Sequence, residues 1–449
     1  MKSEIFSKEE IILFSSILIF FLLKFLTIHP TFSDENLYFL MGKKVKEGLI
    51  PYKDFSYVHP PLQLYTYALF FHLFGVSLHT AKLVPLLASS FSVALVFFIS
   101  RKLFNSKTAL LSSIFFLLFP AFLTFSDQGY GTWEALAFLL LSFHFALDHK
   151  PILSAFSFTI ALFFRYLALT YLPFLLLYFL FFEKSELKKF VLSLSSLALS
   201  TFLLLFSIFG YNFIHDTIIF QFFSRLISTK PKLIFQYLNF GFFTIFLCLV
   251  SSLVLSRQEN KKYMLFSLYP LLVDSILLLS FKNIAYHYFL FSLPFIMIAT
   301  SSAFLLSKEI SVKVFLLLIF FLSFYTNFST LEFYINPKRF TSIYQVKELI
   351  QNRTKEGETI FGEYSTTSFI SFSTGIEITS NYFDTFLDYL KFVNESKILE
   401  ELMKKKPAFF IDAEEYLMSE ESFNRFIREN YILEMEIEGL PSYKVYRKI

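Results

Sequence analysis

Apolar runs of about 20 residues recur along the 449-residue chain, separated by short polar stretches. A helix needs about that length to cross a hydrocarbon core of roughly 30 Å. The pattern predicts eleven membrane helices, at about 11–28, 80–100, 108–125, 132–147, 152–164, 166–182, 190–209, 237–255, 263–281, 286–306 and 312–329. One helix from Pro151 to Phe182 would be about 48 Å long, too long for the bilayer. Two short helices meeting near Arg165 are expected instead. The segment Pro61–Phe74 is apolar but short, with Tyr65, Tyr67 and His72 interspersed. It reads as a helix lying at the interface. From Thr330 the pattern changes. "TIFGEY", "PAFFIDA", "YILEMEI" and "YKVYRKI" read as strands, and "TSIYQVKELIQNR", "TFLDYLKFVNESKILEELMKK" and "ESFNRFIREN" as helices. The expected fold is an α-helical polytopic membrane protein with about 11 transmembrane helices and a C-terminal soluble α/β domain. The membrane module covers 1–329, with its first outer loop at 29–79, and the domain covers 330–449.

Charge orients this scheme. Arg101, Lys102 and Lys107, then Lys184, Lys188 and Lys189, then Arg257, Lys261 and Lys262 fall in short loops on one side. Cationic loops face the cytoplasm, so the N-terminus is expected inside. An odd number of crossings then puts residues 330–449 outside a cell membrane. The composition agrees: 55% of residues are hydrophobic and only 17% charged, which excludes an ordinary soluble protein. A single cysteine, Cys248, excludes a disulfide framework or a cysteine-based zinc site. A formal net charge of +4 gives no reason to expect a nucleic-acid partner.

The candidate chemistry gathers on the outer side. Asp34 and Glu35 stand at the mouth of the first membrane helix. A carboxylate there can take the proton of a hydroxyl acceptor; alternatively, Ser33 or Asp34 caps a following helix. In "YKDFSYVHPPL" two prolines stop one element and open another, which fixes His59. His59 can hold a phosphate or pack among Tyr52, Phe55 and Tyr57. Asp54 and Tyr57 are further candidates for the same cavity, with a turn role as the alternative for Asp54. Arg165 is one cation between two apolar stretches, where charges mark wet cavities or substrate paths. Its guanidinium can hold a phosphate with two hydrogen bonds, or it can snorkel to headgroups. Lys24 lies close enough to the outer end of its helix to snorkel. Asp274 faces a cavity or pairs with another helix. Arg225 and Lys230, in the outer loop after the seventh helix, can attract an anionic headgroup. His287 opens the tenth helix, in a cavity or an aromatic belt, and Trp133 is expected to anchor the outer end of the fourth helix.

The order of "DENLYF", "GLIPYKDFSYVHPPL", an amphipathic stretch ending in "LFG", and "AKLVPLLASSFSVALVFFISRKLF" resembles the polytopic glycosyltransferases of the GT-C type. It is similar to glycosyltransferase family 39, which includes protein O-mannosyltransferases and lipid A aminoarabinose transferases. The likeness is densest over residues 29–104 and continues loosely through "ALFFRYLALTYLP" and "YHYFLFSLP". It implies that the acidic pair lies at the active site, with Asp34 as base and Glu35 beside it. It implies a basic residue near the donor phosphate before the paired prolines, where this chain has His59. A basic residue near Arg165 is often seen in relatives. No "WWDYG"-like motif is present, which weighs against an oligosaccharyltransferase. The implied donor is a polyprenyl-phosphate sugar held in the lipid bilayer, and the acceptor a hydroxyl on a protein, lipid or glycan. Direct displacement with one base implies inversion at the sugar. No cofactor or metal ligand is assigned, and a divalent cation is left open.

The competing expectation is a transporter or flippase of a lipid-linked or small anionic substrate, which would also place charges in membrane helices. The chain shows no repeat of its helical pattern, and its polar residues concentrate on the outer side.

Overall fold

The structure is a computed structural model that describes residues 6–221, 244–257, 261–280, 286–385, 390, 395–418 and 420–449. Helix α1 (Lys8–Leu26) starts at a reciprocal cap, in which the Ser7 hydroxyl accepts from Glu10 N–H and the Glu10 carboxylate from Ser7 N–H. Two short helices follow, α2 (Glu35–Lys46) and α3 (Leu62–Phe74). Then come α4 (Leu78–Leu103), α5 (Ser106–Leu118), α6 (Pro120–Phe125), α7 (Thr132–Leu147), α8 (Pro151–Phe164), α9 (Leu172–Phe182), α10 (Lys184–Phe209) and the single turn α11 (Tyr211–Ile214). The apolar set ends with α12 (Thr244–Leu255), α13 (Lys261–Ser280), α14 (Leu293–Leu306) and α15 (Ile310–Ile335).

Among the described residues three helices are long and apolar enough to cross a membrane: Leu78–Leu103, Lys184–Phe209 and Ile310–Phe328. Others are shorter because the chain breaks inside the apolar run. The 108–125 run divides at Phe119, which is extended as a residue before proline prefers, and Pro120 opens α6. The 151–182 run divides at Arg165 (φ −150°, ψ 125°), followed by a tight turn at Tyr166–Tyr171 and then α9. The tenth run likewise opens as a tight turn, Tyr286–Phe291, ahead of α14.

Helix α4 is central, with 72% of its most apolar stretch buried, whereas α10 buries 6% and turns outward. Small hydroxyl residues let α4 approach its neighbour, and the Ser100 and Ser112 hydroxyls meet at 3.1 Å between α4 and α5. Trp133 is not an interfacial anchor. It is 1% exposed, packs on Phe116 and Phe122, and donates from Nε1 to Phe125 O at 2.6 Å. An indole with its own buried acceptor has no need of headgroups.

After α15 come α16 (Thr341–Arg353), β1 (Ile360–Gly362), α17 (Tyr364–Thr374), α18 (Glu395–Lys404), β2 (Phe409–Ala413), α19 (Glu421–Asn430), β3 (Tyr431–Ile437) and β4 (Tyr443–Lys448). The sheet order is β1-β2-β4-β3, with β1 parallel to β2 and the other pairs antiparallel. The four strands lie within the segments read as strands from the sequence. The first ends early: "TIFGEY" is strand only to Gly362, and Tyr364 already begins α17. Glu363 causes the switch, because its carboxylate caps Ser365 N–H and Thr366 N–H at 2.8 and 2.9 Å. Of the helix expected at 385–405, the part Glu395–Lys404 is α18, and residues 386–389 and 391–394 lie outside the described set.

The charge pattern of the sequence leads us to expect this region on the outer side. A cysteine introduced at exposed Glu356 is therefore expected to react with a membrane-impermeant maleimide in intact cells. Native Cys248 is fully buried and gives no background. Labelling only after permeabilisation would reverse the topology.

Candidate active site

The acidic pair sits where α2 begins. Asp34 already has helical backbone angles (φ −57°, ψ −20°), and its side chain makes no capping hydrogen bond. The capping alternative is therefore not what this carboxylate does. It is part-buried, and its Oδ1 accepts from the Tyr364 phenol at 2.8 Å. Burial, with the Asp34 charge adding to it, keeps the Tyr364 phenol well above the usual tyrosine range.

Glu35 has a different environment. It is 0% exposed. Its Oε1 accepts from Thr31 at 2.5 Å and pairs with Lys82 Nζ at 2.9 Å, while Oε2 accepts from Gly129 N–H at 2.9 Å. Lys82 also reaches Asp127 at 3.5 Å, and Asp127 pairs with Lys24 at 3.0 Å. Four alternating charges thus form one buried chain. Burial alone would raise the Asp127 carboxyl, but Lys24 and Lys82 hold it well below the usual range. Lys24 is an ion-pair partner here rather than a snorkelling residue. With both oxygens engaged, Glu35 is placed to fix α2 and the 129–131 turn, and Asp34 is the carboxylate left at the surface of the site.

One turn along α2, Tyr38 joins Asp34 to the cationic groups. Its hydroxyl lies 3.0 Å from His59 Nε2, and the Arg165 guanidinium carbon sits 5.1 Å above its ring. Burial and the nearby Asp34 charge raise the Tyr38 phenol well above its ordinary value. Arg165 is 8% exposed and donates from Nη2 to Gln63 Oε1 at 3.0 Å. The same oxygen accepts from the Tyr57 hydroxyl at 2.9 Å, and Gln63 Nε2 donates to Gly129 O at 2.7 Å. Gly131, at φ +72°, starts α7 in the left-handed region. A Cβ there would lie 2.7 Å from Gln63 Oε1 and 3.1 Å from Arg165 Nε. Among the described residues Arg165 Nε has no hydrogen-bond partner, and neither has either oxygen of buried Glu134 on the first turn of α7.

His287 stacks on Tyr130 with ring centroids 4.3 Å apart, which brings it to the same turn. The sequence candidates Asp34, Tyr57, His59, Arg165 and His287 therefore converge. Asp54 does not join them. It is exposed and accepts from Ile50 N–H at 2.7 Å, the turn role. Asp274 is buried between helices, where it accepts from the Ser292 hydroxyl, itself bonded to Tyr171 at 2.9 Å. It joins α13 to the start of α14. Arg225 and Lys230 lie outside the described residues. Tyr38, Gln63, Lys82, Asp127, Glu134 and Tyr364 carry much of the arrangement and were not candidates from the sequence. The two glycines around Tyr130 in "QGYGTW" were the one local sign that the chain passes close to other backbone there.

Beside this cluster an apolar groove of about 210 Å³ runs between α3, α8 and α10. Pro61, Leu62 and Tyr65 line one side, Phe156, Ile160 and Phe163 another, and Leu197 and Leu205 the third. It begins two residues from His59 and follows the helix that ends at Arg165.

Residues 58–211 match the family model for dolichyl-phosphate-mannose-protein mannosyltransferase. ArnT from Cupriavidus metallidurans, solved with undecaprenyl phosphate, superposes with a TM-score of 0.69 at 12% identity, over 98% of each chain. The chain has the fold of the GT-C glycosyltransferases. The archaeal oligosaccharyltransferase of Archaeoglobus fulgidus in its apo form shares this GT-C fold less closely, with a TM-score of 0.57 at 11% identity over 98% of this chain and 74% of that one. AglB from the same organism, in complex with an inhibitory peptide and a dolichol-phosphate, aligns at a TM-score of 0.52 and 10% identity, over 90% and 69%. No curated protein sequence matches the chain. At these identities the superpositions establish the GT-C fold and leave the residue roles to the geometry above.

Proposed function

We propose that the protein is a membrane glycosyltransferase that moves a sugar from a polyprenyl-phosphate donor to a hydroxyl acceptor, with Asp34 as general base and inversion at the sugar. The observation that carries this reading is the placement of Asp34 and Tyr38 one turn apart on α2. Tyr38 meets His59 with its hydroxyl and Arg165 with its ring, so the base and the phosphate-binding groups serve one reaction centre. Asp34 takes the acceptor proton as the acceptor oxygen bonds to the anomeric carbon. The carbon–oxygen bond to the phosphate breaks, and the electron pair stays with the departing polyprenyl phosphate. Arg165 and His59 stabilise the charge that gathers there. Glu134 and Gln128 carry buried acceptor oxygens without partners among the described residues, which the hydroxyls of a sugar would satisfy. The apolar groove suits the prenyl chain. The matched ArnT and AglB structures hold undecaprenyl phosphate and a dolichol-phosphate, which supports the donor class.

The direct test is incubation of the purified protein with radiolabelled polyprenyl-phosphate sugars and membrane extract. Label released from the lipid, or moved to an acceptor, supports the enzyme. Uptake into vesicles with the donor intact supports a transporter and sinks this reading.

Arg165→Ala is expected to weaken polyprenyl-phosphate binding by about 10- to 100-fold, the range for losing a charge-assisted hydrogen bond. Arg165→Lys recovers part of the affinity, because an ammonium lacks the planar fork. A binding titration with fluorescent polyprenyl phosphate reads both. Unchanged affinity in Arg165→Ala makes this residue purely structural.

A further inference from the structure

We infer that the C-terminal region completes the catalytic site: Tyr364 positions Asp34, and the base works only while α17 is seated on α2. This rests on the reading of Asp34 as base and adds a positioning residue more than 300 positions away in the chain.

Helix α17 is held to the first outer segment along its whole length. At its start the Ser365 hydroxyl donates to Ser33 O at 2.8 Å and accepts from Ser33 N–H at 2.9 Å and from Asn36 Nδ2 at 3.2 Å. At its end Lys43 Nζ donates to the carbonyls of Ser371 and Phe372 at 3.3 and 3.4 Å, a cation on the negative end of a helix. Lys44 pairs with Glu377 at 2.7 Å. Phe372 packs on Phe39 and Phe71, with ring centroids 6.1 and 5.6 Å away. With α17 seated in this way, the Tyr364 phenol reaches Asp34.

A second element backs Tyr364. The loop between β2 and α19 carries Glu414 and Glu415 in succession at φ +53° and +56°, a conformation that non-glycine residues adopt at a cost. The buried Asp412 carboxylate pins this loop by accepting from Leu417 N–H and Met418 N–H at 2.8 and 3.3 Å. The result is that Tyr416 meets the Tyr364 ring edge-on, with centroids 6.4 Å apart and planes at 67°. The strained turn, Tyr416, Tyr364 and Asp34 thus form one line of contact from the sheet to the base.

The chemical consequence is directional. Tyr364 donates its proton to Asp34 Oδ1 and keeps it, since burial holds the phenol protonated. With Oδ1 held, rotation of the carboxylate is restricted, and Oδ2 is the oxygen that receives the acceptor's proton. Misplacing a reacting group by about 1 Å costs on the order of 100-fold in rate, so an orienting hydrogen bond of this kind is read in turnover rather than in binding.

The test measures kcat with whichever radiolabelled polyprenyl-phosphate sugar the wild-type protein turns over, together with fluorescent polyprenyl-phosphate affinity and melting temperature. Tyr364→Phe is expected to lower kcat by about 10- to 100-fold, with affinity and melting temperature unchanged. Tyr416→Ala lowers kcat in the same way but less, and Tyr416→Phe restores it. Wild-type kcat in Tyr364→Phe beside a slow Asp34→Asn overturns this inference and leaves the base assignment standing. A parallel loss of kcat, affinity and melting temperature in Tyr364→Phe also overturns it, because the contact is then only structural. Wild-type turnover in Asp34→Asn removes the base assignment, and this inference with it.

Discussion

On the proposed function, Asp34→Asn is expected to lower sugar transfer by about 10² to 10⁴, the range for losing a general base, while polyprenyl-phosphate binding stays at the wild-type level. The substitution is well suited to the site. Asn keeps the shape, and its amide oxygen still accepts from the Tyr364 phenol that now bonds Oδ1. Helix α2 loses nothing, because the Asp34 side chain makes no capping bond to lose. What disappears is the capacity to take a proton from the acceptor, which matters only in the transition state. Initial rates with a radiolabelled donor, alongside a binding titration, separate the two effects. Near-wild-type rates would move the search for the base to Glu134, a buried carboxylate whose oxygens have no partner among the described residues.

Lys82→Met is expected to destabilise the protein by about 3–5 kcal/mol, the range for breaking a buried ion pair on one side. Lys82 is 1% exposed and lies between Glu35 at 2.9 Å and Asp127 at 3.5 Å. Its loss leaves Glu35, itself fully buried, without a counter-charge, and Asp127 with Lys24 alone. The melting temperature in detergent and the yield of folded protein both fall. Adding Glu35→Gln removes the stranded charge, so the double variant is more stable than the sum of the single losses predicts. Equal stability of Lys82→Met and wild type would show that Glu35 does not depend on this cation.

What the sequence disclosed follows from the range of the forces involved. The break at Arg165 was legible because a charge between two apolar runs has a local cost that the residues themselves announce. The strands around Phe410 and Val445 were legible from short runs rich in aromatic and β-branched residues. Helix α17 was not, since "YSTTSFISFST" has weak helical preference and depends on the Glu363 cap and on the seat offered by α2. Adjacent Asp34 and Glu35 look alike in the sequence. Their roles divide because Lys82 and Gly129, remote in the chain, claim one carboxylate, while Tyr364 holds the other by a single oxygen. His59 and Arg165 were found as single residues. Their meeting through Tyr38 is a product of tertiary packing.

The apolar groove lies against α10, the helix that turns most of its surface outward. On the proposed function, a long-chain donor would slide in sideways from the surrounding lipid without ever entering water. Its encounter with the protein is a search in two dimensions. If that function holds, the supply of sugar to the base is set by the donor's share of the membrane, and a cell would regulate the reaction by changing that share while the protein itself stays unaltered.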